Sequence, residues 1–97
     1  MPRRRLVRLM TPEEIKDLLA QENPEALFWD GFDDALIGVV SRACQSHLAL
    51  YSVPKCVTIL CKRDGLTKDE AADYLEFNTL CAYMGPMTPL YTYEEKL

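Results

Sequence analysis

Residues 52–75, SVPKCVTILCKRDGLTKDEAADYL, decide the fold because they contain two helix starts and one helix end. Ser52 stands two residues before a proline, where its side chain can cap a helix. That helix runs to about Asp64-Gly65, since glycine supplies the left-handed residue that closes a helix. Thr67 and Glu70 then have the spacing of a capping box, which opens another helix. The stretch predicts an αα-hairpin.

A projection at about 100° per residue divides each of these helices into an apolar and a polar face. On the first helix the inward side chains are those of Cys56, Val57, Ile59 and Leu60. On the second, which we expect to continue to about Met84, they are those of Ala71, Tyr74, Leu75, Cys81 and Ala82. Asn78 projects to the centre of that second face. An unpaired buried amide costs about 1–3 kcal/mol, so Asn78 is expected either to bond to the backbone of another segment, such as the loop around residues 28–34 or the C-terminal tail, or to face a ligand.

The N-terminal half begins with another helix signal. Thr11-Pro12-Glu13-Glu14 is a capping box with proline at the first helical position, and it predicts a helix over about residues 12–22. Its inward side chains are expected to be Ile15, Leu18 and Leu19. This stripe is narrow, so the helix is expected to lie against the domain.

Three apolar segments are candidate strands. Residues 35–44, ALIGVVSRAC, fit either a helix or a short buried strand, and their β-branched cluster favours the strand. Residues 47–53 are a second such run, and the two segments can pair as a hairpin around 43–46. Residues 88–93 form an extended segment that can add an edge strand.

Together these elements predict an α+β protein with one small domain: an N-terminal helix, a β-hairpin and a C-terminal αα-hairpin. The compact domain is expected to span residues 11–93. Residues 1–10 are expected to be a basic flexible arm, and residues 94–97 a frayed tail.

Charge is distributed unevenly along the 97 residues. The first eight residues carry four arginines and no acid, a charge of +4. The remaining residues carry seven basic and 15 acidic side chains, a charge of −8, so the net charge is −4. The acidic body argues against direct nucleic-acid binding and leaves a DNA-mimicking surface as one hypothesis. No apolar run approaches the roughly 20 residues of a membrane span, and no secretory signal is present, so we expect a cytoplasmic protein without a membrane partner.

The sequence offers little for catalysis. His47 is the only histidine, and no phosphate-binding or metalloprotease motif occurs. A zinc site from Cys44, His47, Cys56 and Cys61 fails because positions 56 and 61 lie about 140° apart around a helix. We therefore expect no enzyme, no metal and no cofactor.

The segment FWDGFDDALIG, residues 28–38, is the densest acidic cluster beside a glycine. Its spacing does not match a calcium loop, and adjacent aspartates point in different directions. It is either a turn anchored by aromatics or a contact surface for a basic protein partner. Burial of the aromatic rings would indicate scaffold, and exposure would indicate binding. The candidate contact residues are Trp29, Asp30, Phe32, Asp33 and Asp34.

A second candidate site involves the tyrosines. A ligand pocket for a nucleotide signal would use Arg42, Tyr51, Asn78 and Tyr83. The alternative interpretation of a tyrosine-rich rim is a core edge or a contact between copies of the chain, so a homo-oligomer is a further possibility.

Three strings of residues 27–90 resemble one family. WDGFDDALIG, LYSVPKCVTIL and RDGLTKDEAADYLEFNTLCAYMGPMTP are similar to a widespread group of small uncharacterised proteins of tailed bacteriophages. The chain departs from that pattern where Ser52-Val53-Pro54 replaces an acidic dipeptide and where Cys81 replaces a small residue. The resemblance implies a phage accessory protein in a host bacterial cytoplasm and carries over no functional residue.

These observations lead to three hypotheses of function. The first is a non-catalytic phage accessory protein that binds and inhibits or redirects a host bacterial factor, in counter-defence or host takeover. The second is a small-molecule sponge that sequesters a nucleotide signal. The third is a DNA mimic with a negative stripe from Asp17 through Asp73.

Overall fold

Helices and strands are mixed along the residues that this computed structural model describes, 11–41, 46–80 and 82–94. In chain order they are α1 (Pro12–Glu22), β1 (Leu36–Val40), β2 (Leu48–Ser52), α2 (Val53–Asp64), α3 (Lys68–Leu75) and β3 (Leu90–Thr92). A short 3-10 helix, Asp33–Ala35, leads into β1, and a π-helical turn, Glu76–Leu80, extends α3. The chain is a small single-domain α+β protein, as predicted. None of the described helices is long and apolar enough to span a bilayer.

The predicted capping signals set the helix ends. The reciprocal bonds of the capping box are present at Thr11 in α1 and at Thr67 in α3. The Ser52 side chain accepts a hydrogen bond from the Lys55 N–H at the start of α2, and Gly65 closes that helix in the left-handed conformation. Local hydrogen bonds therefore define the ends of the αα-hairpin at the positions predicted from the sequence.

The three strands form one sheet with β2 in the centre. β2 pairs antiparallel with β1, which confirms the predicted hairpin, although most of its connection lies outside the described residues. A bulge interrupts the β1 register between Leu36 and Gly38. β3 pairs parallel with β2, Leu50 opposite Leu90, so the predicted edge strand is confirmed as well.

The core lies between α1, α2, α3 and one face of the sheet. Its fully buried side chains include Ile15, Leu19, Tyr51, Cys56, Leu60 and Leu75. Val57 and Ile59 are half-buried and pack against this core, as predicted, whereas the inward prediction for Leu18 is wrong, since that side chain is 38% exposed. α1 buries only its Ile15–Leu19 stripe, so Leu18 lies beside the contact and not in it.

The end of α3 differs from the prediction. The α-helix stops at Leu75, and the next turn is π-helical instead of continuing to Met84. A π turn has more residues per turn than an α-helix, so the 100° projection fails beyond Leu75. Asn78 is consequently exposed, and its Nδ2 donates to the Tyr74 carbonyl at 3.0 Å. Tyr74, predicted inward, is 45% exposed.

Candidate functional site

The aromatic side chains of the loop at residues 28–34 are buried anchors. Trp29 is 6% exposed and Phe32 5% exposed. The Trp29 indole stacks on the fully buried Tyr51 ring with centroids 4.5 Å apart. The backbone N–H of Trp29 donates a hydrogen bond to Tyr51 Oη at 2.9 Å. The prediction that Trp29 and Phe32 contact a partner therefore needs correction, because the core encloses both rings. They are scaffold that fixes the position of the loop.

Arg63 of α2 holds the loop from the solvent side. Its Nη1 donates to the Gly31 carbonyl at 3.0 Å, and its guanidinium lies 5.5 Å from the centroid of the Phe32 ring. Gly31 has a φ of +86°, and a Cβ at this position would lie 2.9 Å from Arg63 Nη1. The backbone conformation therefore favours glycine, whereas the exposed arginine side chain would have to shift to admit a Cβ.

Lys16 of α1 makes the second external contact. Its Nζ lies 2.9 Å from Asp33 Oδ1 and 3.0 Å from Oδ2. The same ammonium lies 5.4 Å from the centroid of the Phe28 ring. The ion pair is exposed, with 52% of the Asp33 side chain accessible, so we assign it about 0–1 kcal/mol.

The aspartates of the loop, Asp30, Asp33 and Asp34, are exposed. They line a shallow, mainly polar depression of about 410 Å³, which Lys16 and Ile59 complete. The backbone beneath them is held by hydrogen bonds to Tyr51 and Arg63, so the segment that carries the carboxylates is anchored to the core. Such a surface can accept hydrogen bonds from the cationic side chains of a partner. Nowhere in residues 11–41, 46–80 and 82–94 do three or more His, Cys, Asp or Glu side chains form a group suited to a metal ion.

The buried polar groups beneath the loop are neutral at physiological pH. Burial raises the pKa of Tyr51 from 10.0 to about 12, although the hydrogen bond from the backbone N–H of Trp29 partly offsets this increase. Burial also raises the pKa of the Cys56 thiol from 9.0 to about 12. The Trp29 Nε1–H is buried without an acceptor among the described residues. These groups pack the core, and their protonation states do not change near neutral pH.

The alternative ligand set is not assembled around one pocket. Tyr51 is enclosed in the core, and Asn78 is bonded to its own helix on the surface. Tyr83 is 76% exposed and lines a groove that Tyr51 does not line. Arg42 lies outside the described residues. Tyr83 is therefore the only one of the four that the described structure places beside a cavity.

That groove was not predicted from the sequence. It has a volume of about 580 Å³, and its apolar lining includes Val40, Leu48, Leu80, Tyr83, Leu90 and Tyr91. Beside it lie five exposed side chains, here called the tyrosine surface: Tyr83 (76% exposed), Met84 (55%), Leu90 (49%), Tyr91 (40%) and Tyr93 (66%). The available signal was that residues 77–93 contain no charged residue, in a chain with 27% charged residues.

No protein-family model matches the chain, and comparison with curated proteins and with solved structures finds no match.

Proposed function

We propose that this chain is a non-catalytic phage accessory protein that binds a host bacterial protein carrying a basic surface, and inhibits or redirects it. The contact residues are Asp30, Asp33 and Asp34. One observation carries the proposal: these three carboxylates are exposed on a loop whose backbone is held in place by buried aromatic rings and by Arg63. The resemblance to phage proteins supplies the biological context.

The geometry favours binding in two ways. A loop that is already ordered loses little conformational entropy when it docks, which preserves more of the interaction free energy. The negative charge of the chain, −4 in total, attracts a basic partner over a distance and speeds association. The Lys16 contact to Asp33 is exposed and weak, so an arginine of the partner can replace it at little cost.

The test compares capture of host proteins by three forms of the chain. The loop variant carries Asp30→Asn, Asp33→Asn and Asp34→Asn. The control carries Asp17→Asn, Asp73→Asn and Glu76→Gln, which removes the same number of exposed charges away from the loop. Each is immobilised and exposed to lysate of phage-infected host cells, and the bound proteins are compared by mass spectrometry.

We expect one host protein to be captured by the wild type and by the control, and to be lost with the loop variant. If the loop variant captures the same protein equally well, the acidic loop is not the contact surface. The DNA-mimic hypothesis gives a different result, because a stripe from Asp17 through Asp73 predicts that the control loses the partner too.

The groove favours a second candidate function, the sequestration of a small molecule. Its volume of about 580 Å³ lies in the range of ligand pockets, roughly 300–1,000 Å³. The described lining carries no charge, which suits a neutral aromatic ligand stacked on Tyr83 or Tyr91. A nucleotide signal would need a cation for its phosphate, and Arg42 is the arginine closest in sequence to the lining residue Ser41. Native mass spectrometry of protein from signal-producing cells should show a retained ligand that Tyr83→Ala releases, and an apo mass throughout would refute sequestration.

A further inference from the structure

β3 is an edge strand with one unpaired side. It pairs with β2 through Leu90, Tyr91 and Thr92, and β1 forms the opposite edge of the sheet. No backbone hydrogen bond joins these three residues to any other described segment. An exposed edge presents unpaired N–H and C=O groups that can pair with a further strand, and charge, proline or a bulge discourages such pairing. β1 has a bulge and lies against α1, whereas none of the three β3 residues is charged or a proline, and Pro89 stands just before the strand and not in it.

The charge pattern around β3 fits a second copy of the same chain. Two identical chains with a net charge of −4 repel each other when their acidic surfaces meet. Residues 77–93, which contain β3 and the whole tyrosine surface, carry no charged side chain. Contact through this segment therefore avoids like-charge pairs. A basic partner, by contrast, would find no opposite charge on this surface and would be drawn to the acidic loop.

The size of the surface is sufficient for a reversible dimer. A large aromatic side chain has about 200 Å² of accessible area, so the exposed fractions of the five side chains leave on the order of 500 Å² of mostly apolar area on one copy. Burying this area on both copies removes on the order of 1,000 Å², at the lower end of specific protein interfaces. The rings are also positioned to act together, since Tyr91 and Tyr93 meet edge to face with centroids 6.0 Å apart.

We propose that two copies of this chain associate about a twofold axis beside Tyr91, pairing their β3 strands antiparallel and packing Tyr83 and Tyr93 of each copy against the groove of the other. The two sheets then become one continuous sheet. The depression lined by Asp30, Asp33 and Asp34 shares no residue with the groove, and the loop reaches Tyr91 only through the buried Trp29 ring, with centroids 6.1 Å apart. This inference goes beyond the proposed function and stands independently of it.

The experiment measures the mass of the full chain in solution by sedimentation equilibrium over a concentration series. We expect a shift from one chain mass, 11.1 kDa, to twice that mass as concentration rises. Tyr83→Lys with Tyr93→Lys places like charges across the proposed interface and should raise the dissociation constant about 100-fold or more. Leu18→Lys, an equally apolar exposed position on α1, is the control and should leave it unchanged. Circular dichroism confirms that each variant folds.

Hydrogen exchange adds a readout on the strand itself, since the amides of Leu90–Thr92 should be protected more strongly at high concentration than at low concentration. A wild-type chain that stays monomeric up to its solubility limit would overturn the proposal. So would a folded lysine variant that still dimerises with wild-type affinity, because association would then use another surface. A chain that dimerises only after deletion of residues 1–10 would also overturn it, because the arm would then be the occupant of β3 in the intact protein.

Discussion

Replacing Tyr51 by phenylalanine tests whether the acidic loop is anchored in the core as described. The substitution removes one oxygen atom and keeps the ring that stacks on Trp29. The oxygen accepts the Trp29 N–H at 2.9 Å in a buried environment, so its loss leaves a buried backbone donor unpaired. The perturbation is therefore confined to one hydrogen bond at the base of the loop.

The expected cost follows from that unpaired donor. A buried polar group left without a partner costs about 1–3 kcal/mol, and water cannot replace the oxygen because Tyr51 is fully buried. In a domain of 60–100 residues each 1 kcal/mol shifts the melting temperature by roughly 4–8 °C. A loss of about 2 kcal/mol should therefore lower the melting temperature by roughly 8–16 °C.

The assay is urea and thermal unfolding followed by the fluorescence of Trp29, the only tryptophan. Tyr74→Phe is the matched control, because that tyrosine is 45% exposed and its hydroxyl has access to water. The reasoning is refuted if the Tyr51→Phe variant is as stable as the Tyr74→Phe variant. In that case the loop backbone is held by other contacts.

Three further predictions concern the same framework. Arg63→Ala removes the hydrogen bond to Gly31 and should lower the free energy of urea unfolding by about 1 kcal/mol. An Arg63→Ala variant as stable as the wild type would contradict a stabilising role of this contact. Thr67→Ala removes the cap of α3 and should cost about 0.5–2 kcal/mol by the same assay, and Thr67→Ser should restore most of it. Alkaline pH should destabilise the fold. Burial raises the pKa of Cys56 from 9.0 and the pKa of Tyr51 from 10.0, each to about 12. The folded state therefore holds these two protons more tightly than the unfolded state does. The free energy of unfolding should be fully retained below pH 9 and fall as pH rises toward 12; a flat profile there would contradict the burial of both groups.

The elements that the sequence predicted correctly are those with local causes. Each capping box joins residues three positions apart, and Gly65 closes α2 through its own backbone conformation. Such signals act within one turn, so they are legible without knowing the rest of the fold. The hairpin and β3 were predicted as extended segments from composition, but nothing local indicated that β3 would run parallel to β2.

The site depended on contacts between distant residues and was predicted only in part. The burial of Trp29 and Phe32 depends on contacts with Tyr51 and Arg63. These hydrogen bonds join Trp29 to Tyr51, 22 positions later, and Gly31 to Arg63, 32 positions later. The exposure of Asn78 results from a π-helical turn, for which the sequence contains no recognisable signal. The uncharged run at residues 77–93 was visible in the sequence, but only the fold shows that its tyrosines lie exposed beside a groove.

The central claim is that Asp30, Asp33 and Asp34 bind a basic host protein. The most direct measurement is calorimetric titration of the captured host protein with the wild-type chain and with the loop variant, each at low and high ionic strength. We predict that the loop variant binds about tenfold more weakly or worse at low ionic strength, and that salt weakens the wild type more than the variant. Equal affinity for the two chains, with the same dependence on salt, would contradict the claim.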